Sequence, residues 1–209
     1  MKSASLAAIA TLLVSCLALT TTATASSVDF SNNGGTLSGS SAGLSLSGST
    51  LVVVKGLNGG GLIAGPDLGS VQFTTGALTS GSLSAGGMFA SGGTFLITGN
   101  GTNGIPNGVL FSATFSGPVT WTRLPPVDGT QQYILSGGVM GTLSGVSNSG
   151  FTVQLTVDTG SQGFTGSTTL GSGNTNVSPT TVPEPSSLVL LVAGSLSVLG
   201  TMRRKLLVG

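Results

Sequence analysis

Through much of the middle of the chain, apolar residues recur at every second position. Phe151, Val153, Leu155 and Val157 interleave with Thr152, Gln154, Thr156 and Asp158, a period of two that gives a β-strand one apolar face. Val109, Phe111, Ala113 and Phe115 alternate in the same way with Leu110, Ser112, Thr114 and Ser116. Further strands are expected over 43–47, 50–55, 70–74, 94–98, 119–123, 131–135, 139–143 and 164–170. Pro125-Pro126 has no amide hydrogen to give a ladder, and Asp128-Gly129 is a tight-turn pair joining two of these strands. Short strands spaced at about ten residues and parted by glycine-rich turns predict an all-β fold, an antiparallel β-sandwich or irregular barrel. All ten aromatic residues, from Phe30 to Phe164, fall inside this region, and about 150 residues suffice for one core.

Alternation stops at both ends. Leu6 to Leu19 is apolar, Lys2 is the sole charge before Asp29, and Ala23-Thr24-Ala25 offers the small residues of a cleavage site, so residues 1–25 read as a secretory signal helix cut after Ala25. Leu13-Val14-Ser15-Cys16 competes as a lipobox in which Cys16 would be acylated and become the first mature residue. Ordinary cleavage is preferred because the apolar run continues through Leu17 and Leu19 to the alanine site. At the other end, Val182-Pro183-Glu184-Pro185 precedes an uncharged run, Leu188 to Met202, and then Arg203-Arg204-Lys205. The prolines hold the approach extended. The run satisfies its backbone in lipid only as a transmembrane helix, and the basic triplet stops transfer on the cytoplasmic side. Residues 186–202 span ~26 Å at ~1.5 Å each, slightly short of a ~30 Å hydrocarbon core. The expected layout is therefore a signal peptide (1–25), an all-β extracytoplasmic domain (26–170), a flexible Gly/Ser/Thr linker (171–182) and a C-terminal signal (183–209).

This order of triplet, apolar helix and basic end resembles the PEP-CTERM sorting signal of exported bacterial proteins, over about an eighth of the chain. The tail Leu206-Leu207-Val208-Gly209 beyond the basic cluster departs slightly from the pattern. The resemblance implies export machinery and signal peptidase as early partners, the membrane in transit, and an exosortase, a membrane-embedded cysteine protease-transpeptidase, as the enzyme that reads the signal. It also implies a final place at the cell surface or in an extracellular matrix with exopolysaccharide. The competing reading is a plain C-terminal anchor behind a proline-containing linker.

Composition narrows the chemistry. Glycine occupies 36 of 209 positions, which disfavours helices because glycine costs ~1 kcal/mol relative to alanine there. Leu-Ser-Gly recurs at 37, 46, 135 and 143 without a constant interval, so a parallel β-helix ranks second to the antiparallel fold. With no histidine, and with Cys16 inside the signal, no metal or cofactor site is expected. Between 26 and 182, Lys55 and Arg123 stand against Asp29, Asp67, Asp128 and Asp158, a net of −2, and nucleic acid has no basic patch to bind.

Three motifs bear on activity. Asp158-Thr159-Gly160-Ser161 at a strand end matches the aspartic-protease tetrapeptide, whose chemistry needs a second aspartate sharing a proton; Asp29, Asp67 and Asp128 do not repeat it, and the tetrapeptide reads as a hairpin turn. Gly99-Asn100-Gly101-Thr102-Asn103-Gly104 fits the dinucleotide pattern but leads into a strand, where a phosphate site would open a helix. Trp121 and Tyr133 read first as core or cross-strand packing, with a sugar-stacking platform as the lesser alternative. Asn100-Gly101-Thr102 and Asn176-Val177-Ser178 are formal glycosylation sequons. The expectation is a non-enzymatic exported envelope or matrix protein with no catalytic residues. A polysaccharide-binding or adhesion module, held at the surface by its helix or by lipidated Cys16, comes second, and a hydrolase third.

Overall fold

The computed structural model describes residues 27–144, 146–161 and 163–180. Thirteen strands follow one another: β1 (Val28–Asn33), β2 (Thr36–Ser40), β3 (Gly43–Lys55), β4 (Leu62–Thr74), β5 (Leu78–Ser82), β6 (Gly86–Phe89), β7 (Thr94–Asn100), β8 (Asn107–Phe115), β9 (Val119–Arg123), β10 (Gln132–Leu143), β11 (Val146–Asp158), β12 (Ser167–Thr169) and β13 (Ser172–Pro179). The described residues contain one 3-10 turn, Leu57–Gly59, and no α-helix.

Eight strands close a ring in the order β1–β3–β4–β7–β8–β10–β11–β13, with β13 returning to β1. Each pairing is antiparallel, which sets aside the parallel β-helix and makes the fold an all-β barrel. The wall forks twice. The second half of β10 pairs with β8, whereas Tyr133–Ser136 pair with β9, which continues into β6 and β5. In β3, residues 50–55 pair with β1 and 43–47 with β2, which carries β12. β10 changes partner around Gly137-Gly138, where a Cβ on Gly137 would lie 3.0 Å from the Phe115 ring, and β3 around Gly48, whose φ of +66° side chains rarely adopt.

All ten aromatics are buried, none more than 2% exposed. Phe73 stacks on Phe95 at 5.7 Å, Phe95 meets Phe111 and Phe115 edge-on at 6.0 and 6.4 Å, and Phe111 meets Phe151 at 5.6 Å, filling the barrel. A second cluster, Trp121, Tyr133 and Phe164, fills the forked end. Each such ring contributes ~1.5–3 kcal/mol by burial. Cys16, the sole cysteine, lies outside the described residues, so burial and strand pairing carry this domain.

The face Phe151, Val153, Leu155 and Val157 is buried as the alternation predicts, and Asp128 and Gly129, at φ 48° and 76°, make the turn between β9 and β10. Other expectations are corrected. Residues 43–47 and 50–55 belong to one strand, as do 131–135 and 139–143 apart from Gln131. A register shift between β7 and β8 places Leu110 and Phe111 both inside and leaves Val109 54% exposed. Only Ser167–Thr169 of 164–170 is strand. The alternation does not predict β1, β2, β5 or β6; β2 and β5 are rich in Ser, Thr and Gly and carry little apolar signal.

The largest correction concerns the flexible linker at 171–182. Ser172–Pro179 is instead β13, paired along both edges with β1 and β11. Its inward residues are Gly173, Thr175 and Val177, of which only Val177 is a large apolar residue. Hydrogen bonds hold its outer face: Asn176 Nδ2 donates to Asp29 Oδ1 at 2.6 Å and Asn174 Nδ2 to Ser31 Oγ at 3.0 Å. Hydrophobic alternation is a poor guide to such a strand because pairing and amide contacts replace burial. Val28 lies opposite Val177, so both ends of the described chain leave from one rim, shared with the β3–β4, β7–β8 and β10–β11 turns.

Candidate functional site

Trp121 and Tyr133 do not form a sugar platform. They are 1% and 0% exposed and stack on each other at 4.7 Å and 4°, with Phe164 edge-on to both. Their polar ends are satisfied internally, as buried Trp and Tyr require. Trp121 Nε1 donates to Leu83 O at 2.8 Å. The Tyr133 hydroxyl donates to Ser84 O at 2.9 Å and accepts from Phe164 N at 3.0 Å. The pair thus fastens the β5–β6 turn and the β11–β12 connection to the core. Tyr133→Phe keeps the ring and removes both bonds, and is expected to cost ~1–3 kcal/mol in urea denaturation, since the Phe164 amide loses its acceptor.

Asp158 ends β11, and its Oδ1 accepts from Gly160 N at 2.8 Å. Around it Gly171 N donates to Asp158 O, Thr159 N to Gln131 O, and Gln131 N to Gly160 O. The tetrapeptide is accordingly a turn that ties three chain segments together. Asp29 lies towards the other end of the β1–β13 pair, opposite Asn176, and supplies no second carboxylate beside Asp158.

Gly99–Gly104 ends β7 and turns back into β8. Asn100 Nδ2 donates to Asp67 O at 3.0 Å, while Asn100 Oδ1 accepts from Thr102 N at 3.1 Å, which clasps the loop to β4. No helix begins there to receive a phosphate. Of the two sequons, Asn100 is committed to this clasp, and Asn176 sits within β13, bonded to Asp29 and accepting from Ser178 Oγ at 2.7 Å.

Two concavities lie on the wall. One, of about 500 Å³, crosses β1, β13 and β11 and is lined by Ser31, Gln132, Thr156, Asp158, Ser172 and Asn174. Another, of about 260 Å³, lies over Ser45, Ser47, Gln72 and Thr94. Sequence reasoning missed the first because its residues are scattered over five strands, and only their register collects them. Its hydroxyls and amides, with one carboxylate, equip it for hydrogen bonding to a polar ligand. Among the described residues no group of three or more His, Cys, Asp or Glu side chains gathers, and no helix is long and apolar enough to cross a membrane.

The residues expected to govern sorting lie outside the described residues: Cys16, Ala23 and Ala25; Val182, Pro183, Glu184 and Pro185; the Leu188–Met202 run; and Arg203, Arg204 and Lys205. Comparison with models of known families, with curated proteins and with solved structures finds no match to this chain.

Proposed function

We infer that this is an exported, non-enzymatic envelope or extracellular-matrix protein, delivered by an N-terminal signal helix and sorted through its C-terminal segment. The observation that carries the reading is the order Pro183-Glu184-Pro185, uncharged Leu188–Met202, Arg203-Arg204-Lys205. An exosortase-like membrane protease is the partner it calls for. The position of β13 adds a consequence: only three residue steps separate Thr180 from Pro183, at most ~11 Å of chain. The enzyme would meet its motif close beneath the rim of a folded barrel. Replacing Pro183-Glu184-Pro185 by three alanines is expected to leave export intact and to block C-terminal processing. Mass spectrometry of the protein from cells and from matrix checks this; an unchanged mature mass and location would reject the sorting reading in favour of a simple anchor.

A polysaccharide-binding module is the second reading. With Trp121 and Tyr133 in the core, its support is the outer depression along β1, β13 and β11. Retention on the producer's own exopolysaccharide, lost on Asn174→Ala and Asp158→Ala, is the result that would favour it.

A further inference from the structure

The inward face of the β1–β13 seam is unlike the rest of the barrel lumen. Asn32 and Thr175, 1% and 0% exposed, point inward there among phenylalanine and leucine. Asn32 Nδ2 donates to Ser49 Oγ at 2.7 Å, and Ser49 Oγ donates onward to Asn33 O at 3.1 Å. Asn32 Oδ1 and Thr175 Oγ1 have no hydrogen-bond partner among the described residues. Two orphaned polar atoms in one core are costly, because each has given up water without replacing it.

The register brings the two together. Asn32 lies opposite Gly173 and Phe30 opposite Thr175, so Asn32 and Thr175 are diagonal neighbours on one face, at ~7–8 Å between Cα atoms. Opposite Asn32 stands a residue with no side chain. A Cβ on Gly173 would come within 2.6 Å of Asn32 Oδ1, so the amide oxygen occupies space that any other residue would claim. The two orphans are also complementary: the amide oxygen only accepts, while the hydroxyl both donates and accepts.

We propose that a single buried water binds at this seam, donating one hydrogen to Asn32 Oδ1 and exchanging a hydrogen bond with Thr175 Oγ1. An internal water needs polar surroundings, at least two partners and room for itself; the seam supplies the first two, and the density sought below tests the third. The water ties β1 to the strand that closes the barrel. It also marks β13's register, since a slip of one residue would carry Thr175 to the outer face and bring Asn174 or Asn176 inside.

Two measurements on the full chain in detergent test this. A crystal structure at about 1.5 Å is expected to show one isolated density peak at ~2.7–3.1 Å from both oxygens. A direct Thr175–Asn32 hydrogen bond, or no peak, overturns the proposal. In solution, Thr175→Val is expected to lower the folding equilibrium constant about tenfold while Thr175→Ser is near neutral, because only valine removes the hydroxyl. In a cycle with Asn32→Leu the two losses should be strongly non-additive. Additive losses, or equal effects of serine and valine, would overturn it as well.

Discussion

A chain ended after Leu170 is expected not to fold, although it retains twelve of the thirteen strands and nine-tenths or more of the buried core. β13 is the only strand between β1 and β11, and its ladder runs along both, from Val28↔Val177 to Asn33↔Ser172 on one side and from Phe151↔Pro179 to Val157↔Gly173 on the other. Removing it exposes two long inner edges at once and opens the lumen at Phe30, Val153 and Leu155 to water. Exposed edges of this length also invite pairing with other chains. The outcome to look for is loss of a cooperative urea transition together with aggregation on size exclusion. A truncated chain that unfolds cooperatively near the parent's midpoint would show that the barrel does not depend on its last strand. On the proposed export route, the ring could not close until residue 179 had crossed the membrane, so the chain would stay open for almost the whole of translocation.

Gly69→Ala is expected to be the most damaging single substitution by a methyl group. Gly69 sits in β4 at φ +144°, which side chains rarely adopt, and a Cβ there would collide with the Thr98 carbonyl on β7. Backbone strain costs ~1–3 kcal/mol and overpacking ~1–3 kcal/mol more. Gly104, at φ +84° with nothing within 4 Å of a Cβ, isolates the first contribution, so Gly104→Ala should lose only ~1 kcal/mol or slightly more. Urea midpoints of the two variants decide it, and equal losses would mean that β4 and β7 part without cost.

What was legible in the sequence was whatever burial writes into it. The Phe151–Val157 face, the 94–98 and 119–123 strands and the Asp128-Gly129 turn all rest on apolar alternation or turn chemistry, and the structure has them. β13 was illegible for the opposite reason: a closing strand held by Asn176, Asn174 and ladder bonds has the composition of a linker. Leu110 shows a subtler limit, since one shifted register puts two consecutive residues on the same side and breaks the period. For Trp121 and Tyr133 the sequence favours core packing but leaves a sugar platform open, because it cannot tell which face of β9 and β10 turns inward. Their partners, Leu83 O and Ser84 O, lie 38 and 49 residues away, beyond any local pattern. The outer depression was hidden likewise, as five strands distant in sequence contribute to it.

Because the first and last strands run side by side, with Val28 across from Val177, the molecule has a built-in polarity. Whatever grips either terminus grips the same pole. The opposite pole, where Trp121, Tyr133 and Phe164 knit the two side sheets together, is then held outermost whether the attachment is a lipid, a helix or a covalent link to polymer.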